Sequence, residues 1–378
     1  MYGSWKRCSP LDKTVEKQSS FLESVELKTD NSFWQGKNVI ITGHTGFKGG
    51  WLAIWLTQLG AKVAGYALDP LTDPNFFSIT NIEKSVKDHR DDIRDLSALE
   101  GVIRSVEPEI IIHMAAQPLV RESYKDPVGT YATNVMGTVN LMEAARSCDS
   151  VRAILIVTSD KCYENRELDY GYKETDTMGG HDPYSSSKGC AELVTSAFRR
   201  SFYENTSMIA VASARAGNVI GGGDWSANRI IPDAIRSFSN NQQLQVRSPD
   251  AIRPWQHVLE PLSGYMTLCE KMWDQPLKFS DGWNFGPLES IREVEEIMNR
   301  VSDLWGENAE WERSIVDQPY EATLLKLDIA KAKKKLGWAP KWDLDTALEK
   351  TVSWYKSYYN GEDMGEISLK QIEEYQVS

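Results

Sequence analysis

Short apolar runs recur through the first half of the chain, each followed by a longer stretch in which apolar residues return at helical spacing. "KNVIITG", Lys37 to Gly43, is rich in β-branched residues and stops at glycine, as a strand buried on both faces of a parallel sheet does. "FKGGWLAIWLTQLG" then predicts a helix ending at Gly60, and "AKVAGYALD" a second strand. Strand, glycine turn, helix and strand in that order make a βαβ unit, whose crossover is right-handed. "PEIIIHMAA", "RAILIVTSD" and "SMIAVASARAGNV" continue the strands, with "GTVNLMEAARS" and "YSSSKGCAELVTSAFRRSFY" as helices. The pattern predicts an α/β chain with a Rossmann-type doubly wound parallel sheet.

After Asn218 the texture changes to "GGGDW", "RSPDAIRPWQ" and "SDGWNFGP", rich in Gly, Pro and Trp. We place residues 1–33 in a polar N-terminal extension and 34–215 in the dinucleotide-binding domain. Residues 216–378 form a smaller mixed α/β substrate lobe, with segments around 254–280 returning to the first domain. There is no internal repeat. At 378 residues and 41% hydrophobic content the chain can bury a large core, and at this length a second lobe is expected.

A net charge of -12 with no Lys/Arg block argues against nucleic acid, so an anionic ligand needs arginines placed locally. Five scattered cysteines read as reduced thiols of a cytoplasmic protein, and they and the five histidines lack metal-site spacing. No N-terminal apolar run has the length of a signal peptide or membrane span.

The turn "TGHTGFKG" spaces Gly43, Gly46 and Gly49 as Gly-x-x-Gly-x-x-Gly. Glycines there allow a tight turn and close backbone approach, so that N–H groups at a helix start meet a pyrophosphate. We assign Gly43, Thr45, Gly46, Phe47, Lys48 and Gly49 to the cofactor. Asp69 ends the second strand, where a carboxylate accepts from ribose hydroxyls and repels a 2′-phosphate, which favours NAD over NADP. Asp92 and Ile93 in "DDIRD" reach the adenine or form a solvated acidic turn, and Met114, Ala115 and Ala116 line the cofactor or simply pack.

Tyr184 and Lys188 share one helix face in "YSSSK". An ammonium beside a phenol favours phenolate, bringing a pKa of about 10 toward working pH, and phenolate can take a proton from a sugar hydroxyl. A simple dehydrogenase needs nothing more, yet "VTSDKCYEN" sets Asp160 and Lys161 side by side at a strand end. With "NVMGT", these motifs resemble the extended short-chain dehydrogenase/reductase superfamily. "GHTGFKGGWL", "HMAAQPLVRESY", "TSDKCYEN", "DPYSSSKGCAEL", "RAGNVIGGGDW" and "RPWQHVLEPLSGY" are similar to the CDP-glucose 4,6-dehydratases, from about Asn31 to the C-terminal region.

The resemblance implies tightly bound NAD, regenerated in each cycle, and a nucleotide-sugar substrate. It also implies a homodimer and a place in making deoxyhexoses for surface polysaccharide. Tyr184 is then the base at O4, with Ser159 on the same oxygen, and Asp160 the acid for the C6 hydroxyl. Lys161 is the base at C5 with its pKa lowered, or alternatively an ion-pair partner of Asp160. Asn134 holds a water or backbone group near Lys188, or caps a helix. For a CDP-sugar, Arg215, Arg229 and Arg253 are phosphate candidates, because guanidinium forks match phosphate oxygens. Asn218 joins them by resemblance, and Gln117 and Arg121 face the sugar. Trp225 and Trp255 are core aromatics or base platforms, and Tyr320 stands where relatives carry His. A nucleotide-sugar 4-epimerase and a non-catalytic NAD-binding regulator remain the alternatives, the first having no use for Asp160 and Lys161.

Overall fold

A computed structural model of the chain describes residues 32–204, 209–288, 292–306, 309–314 and 324–378. Most of the predicted N-terminal extension and Tyr320 lie outside the described residues. Seven strands make the central sheet: β1 (Asn38–Thr42), β2 (Lys62–Ala67), β3 (Lys87–Arg90), β4 (Ile110–His113), β5 (Ala153–Val157), β6 (Ala210–Ala216) and β7 (Gly282–Phe285). Their order is β7-β6-β5-β4-β1-β2-β3, and every pairing is parallel. Five of the seven are the strands predicted from apolar runs. The other two were not: β3 is the polar edge strand "KDHR", and β7 lies inside the "SDGWNFGP" stretch assigned to the substrate lobe.

Period-two alternation along each strand feeds two separate cores. Val39 and Ile41 face α1 (Phe47–Gln58), whereas Ile40 faces α2 (Leu96–Val106) and α3 (Gly137–Arg146). The first face is closed further by Leu259–Asp274, and the second by α4 (Pro183–Phe198) with its continuation to Tyr203. Ile110, Ile111 and Ile112 have no exposed surface, and burying each contributes ~1.5–3 kcal/mol.

Helix α4 starts where it does for local reasons. Asp182 accepts from the Ser185 N–H and hydroxyl, and Pro183 occupies the first helical position, where a missing N–H costs nothing. The sheet reverses its order of connection between β1 and β4, so a crevice opens at their C-terminal ends, where ligands bind in open α/β sheets. Beyond β6, Ile230–Ser239 and the parallel pair Leu244–Val246 with Trp311–Arg313 stand over that crevice.

Candidate active site

The crevice is a cleft of about 540 Å³, in the size class of ligand sites. Its cofactor half is set by β1. Gly43 follows the strand at φ 78°, and a Cβ there would sit 2.8 Å from the Ala115 nitrogen. A Cβ on Gly49 would overlap the Gly43 carbonyl oxygen, so the turn is pressed flush between α1 and the end of β4. Thr42 Oγ1 accepts from the N–H groups of Met114 and Ala115 at 3.0 and 3.1 Å and fixes that contact. Helix α1 begins with no side-chain cap, leaving its first N–H groups and positive dipole end to the cleft. Asp69 is open to solvent with its carboxylate 3.3 Å from Arg90, and Tyr66 donates to the Asp92 carbonyl. A flush glycine cradle, an uncapped helix start and a carboxylate at the end of β2 fit NAD.

The chemical half is set by β5 and α4. After Val157 the chain makes a short turn in which Ser159 Oγ accepts from Lys161 N at 3.2 Å and donates to Asp160 Oδ1 at 2.9 Å. Asp160 is 1% exposed, and its Oδ2 has no hydrogen-bond partner among the described residues. That oxygen lies against Gly217, where any Cβ would collide with it. Lys161 lines the cleft, and among the described residues no ion pair joins it to Asp160, so the ion-pair alternative for this lysine is not seen.

Lys188 donates to the Val157 carbonyl at 3.3 Å, tying α4 to the end of β5. Burial lowers its pKa to about 8, against the pull of Glu192. Burial also pushes the Tyr184 phenol up to about 12, although a hydrogen bond with Ser159 lowers it. The expected phenolate is therefore absent from the protein by itself, because desolvation outweighs the neighbouring cations. Lys48, beside Asp160 with Lys188 and Arg229 also near, is lowered to about 7, first by burial and then by those two cations.

On the substrate side Arg121, Asn218, Arg229 and Arg253 line the cleft, with Arg229 paired to Asp224 at 2.9 Å. Arg247, which sequence reasoning passed over, lines it too, although it lies in the same "VRSPDAIR" stretch as Arg253. Trp225 and Trp255 belong both to the core and to the cleft wall.

Three expectations need correction. Arg215 crosses from β6 to Glu192 on α4 at 2.8 Å, with both side chains 5% exposed, so its charge is spent inside the protein and does not reach a phosphate. Gln117 turns inward to Thr130 Oγ1 and the Leu119 N–H rather than toward a sugar. Asn134 brackets the Gln117 backbone with two hydrogen bonds and donates to Ser187, holding a backbone group in place without lining the cleft.

Residues 40–351 match the GDP-mannose 4,6 dehydratase family. The CDP-glucose 4,6-dehydratase of Salmonella typhimurium is 52% identical over 351 residues, 92% of this chain and 98% of that one. Two solved structures share the fold. MoeE5 in complex with UDP-glucuronic acid and NAD has a TM-score of 0.73 at 23% identity, covering 85% of this chain and 99% of its own. The dTDP-glucose 4,6-dehydratase of Bacillus anthracis in complex with NAD has a TM-score of 0.71 at 20% identity, covering 86% and 99%. With a family pattern running from β1 to the penultimate helix and one dehydratase half identical along nearly its whole length, the chain belongs to the GDP-mannose 4,6 dehydratase family.

Proposed function

We propose that the chain converts CDP-glucose to CDP-4-dehydro-6-deoxyglucose and water. The observation that carries this reading is the meeting, in one cleft, of the glycine turn with Tyr184, Lys188, Ser159, Asp160 and Lys161. NAD, when bound, takes hydride from C4 of the sugar and returns it at C6. Gly43 through Gly49, Asp69, Asp92, Ile93 and Met114 to Ala116 hold it.

Tyr184 receives the O4 proton, and Ser159 orients that oxygen. A C4 ketone acidifies the C5 proton, because the carbanion left behind is an enolate. Lys161 removes that proton, and Asp160 protonates the departing C6 hydroxyl, so that water leaves across C5 and C6. Lys161 afterwards returns its proton to C5. Arg229 and Arg253 neutralise the diphosphate, and Arg121 and Asn218 position the sugar and nucleotide. An epimerase would leave Asp160 and Lys161 with no task.

The product feeds deoxyhexoses of surface polysaccharide, and the free thiols Cys148, Cys162, Cys190 and Cys269 suit a cytoplasmic location. Apolar side chains stand exposed on neighbouring helical segments, Val128 at 78%, Met136 at 51% and Leu193 at 61%, and support a homodimer. A monomeric mass in solution would exclude it. To test the reaction, purified protein is incubated with CDP-glucose and no added nicotinamide, and the alkaline absorbance of a 4-keto-6-deoxy sugar is followed. Product without net NADH supports the reading; activity only on another nucleotide sugar reassigns the substrate.

A further inference from the structure

The dehydration proposed for this cleft leaves a proton imbalance between two side chains, and a relay that corrects it rests on that reading of the reaction. Each turnover places the O4 proton on Tyr184, and each turnover takes a proton from Asp160 into the departing water. Lys161 takes and returns its own. Unless a proton passes from Tyr184 to Asp160, the first residue ends the cycle with one too many and the second with one too few.

We infer that Ser159 is the wire between them, carrying a proton from the Tyr184 phenol to the Asp160 carboxylate in the same event that removes the O4 proton. Ser159 Oγ donates to Asp160 Oδ1 at 2.9 Å and hydrogen-bonds Tyr184 on its other side. A serine hydroxyl has one hydrogen, and here it is committed to Asp160. Toward Tyr184 the same oxygen can only accept, so the chain of hydrogen bonds runs from phenol to serine to carboxylate, the direction the balance requires.

Atoms and charges balance across the relay. O4–H breaks and its proton joins the Tyr184 oxygen. The original Tyr184 proton moves to Ser159 Oγ, and the original Ser159 proton moves to Asp160 Oδ1. Tyr184 and Ser159 are neutral before and after, and Asp160 has become a carboxylic acid. Its second oxygen, Oδ2, is buried against the cleft-wall residue Gly217 with no partner among the described residues, and a half-turn about Cβ–Cγ brings the acid proton to that side. Loss of that proton with the C6 hydroxyl, as water, restores the resting carboxylate.

The wire also removes a difficulty that burial creates. The phenol is held up at about 12, so a mechanism that waits for free phenolate starts from a scarce form. A relay needs none. The titratable and charged groups facing Tyr184 are Asp160, Asp182, Arg229 and Tyr265, with Lys188 one turn away on α4; those facing Asp160 are Lys48, Tyr265 and Cys162. Among these, Asp160 is the acceptor that Ser159 touches.

The test separates C4 oxidation from elimination. Protein loaded with NAD is mixed with CDP-glucose in a single turnover, and the absorbance of reduced cofactor is followed from pH 6.5 to 9 for the parent, Ser159→Ala, Ser159→Thr and Asp160→Asn. The parent oxidises at a rate nearly independent of pH. Ser159→Ala and Asp160→Asn each slow oxidation about 100-fold at neutral pH, and their rates climb about tenfold per pH unit, because Tyr184 must now ionise alone. Ser159→Thr, which keeps the hydroxyl, recovers most of the rate and the flat profile. Equal NAD affinity across the set excludes misfolding. Oxidation at the parent rate in Asp160→Asn, with elimination alone stalled, overturns the wire. A parent that neither reduces its cofactor nor forms product with CDP-glucose overturns the underlying reaction instead.

Discussion

Replacing Arg215 with methionine tests whether this arginine serves the fold or the ligand. Its guanidinium donates to both Glu192 oxygens at 2.9 and 2.8 Å and to the Tyr163 hydroxyl at 2.7 Å. Burial works against both charges of the pair, and their contact overcomes it, holding Glu192 below and Arg215 above their ordinary values. Glu192 also accepts from Thr158, the residue before Ser159, and from Ser213. Truncating one partner strands a buried carboxylate, which costs ~3–5 kcal/mol.

Urea unfolding of Arg215→Met should therefore show a loss of that size, while the KM for CDP-glucose in the folded fraction changes less than about twofold. The double variant Arg215→Met, Glu192→Met removes both charges. It leaves two hydroxyls without their acceptor, at ~1–3 kcal/mol each, yet regains at least ~1 kcal/mol over the single variant. A single variant within ~1 kcal/mol of the parent, with KM raised tenfold or more, would refute the structural role and return Arg215 to the diphosphate.

Tyr184→Phe should reduce C4 oxidation by a factor of ~10²–10⁴ with the fold intact, read as the loss of the reduced-cofactor transient. Gly49→Ala should abolish NAD binding measured by calorimetry and lower thermal stability, since its Cβ would overlap the Gly43 carbonyl. Lys48→Met should stabilise the ligand-free protein below pH 7 and lose that advantage as pH rises. Lys48 has a folded pKa of about 7 against 10.5 unfolded, so its burial cost is fully present below 7, shrinks between the two values and is gone above the higher one. Urea midpoints of the two proteins that differ equally at pH 6 and pH 10 would contradict this.

The parts of the fold legible in the sequence are those where burial is uniform. Strands β1, β2, β4, β5 and β6 are covered on both faces and so appear as apolar runs. Strand β3 has a solvent-facing edge and reads as charged loop. Strand β7 hides for another reason: its central Asn284 is fully buried, satisfied by the Tyr163 hydroxyl and by carbonyls of Tyr172 and Asp328. None of those partners is near it in sequence, so no local pattern marks the asparagine as internal. The site divides in the same way. The glycine turn and the Tyr184–Lys188 pair depend on spacings within one element and are visible from composition and period. Whether an arginine serves a ligand or a buried acid depends on which distant side chain reaches it, and in that respect Arg215 and Arg229 look identical until the fold is known.

Charge placement links these two levels. The chain carries a net charge of -12, yet the cleft is lined by eight Lys and Arg side chains against five Asp. Without ligand that excess is unfavourable, and the structure answers it in two ways: Asp224 neutralises Arg229, and Lys48 and Lys188 are held below their ordinary values. A dinucleotide and a nucleotide sugar each bring a diphosphate. Their arrival supplies the missing negative charge, so the pKa of Lys48 rises and the cleft takes up a proton near neutral pH. The same cations that destabilise the empty cleft thus favour its two anionic ligands over the acidic surface around it, and they do so most strongly below the pKa of Lys48. NAD and CDP-glucose should accordingly bind more tightly at pH 6 than at pH 8, with proton uptake detectable as a buffer-dependent enthalpy. Lys48→Met should remove most of that dependence. Equal affinities at the two pH values in the parent would mean that Lys48 does not sense the bound phosphates.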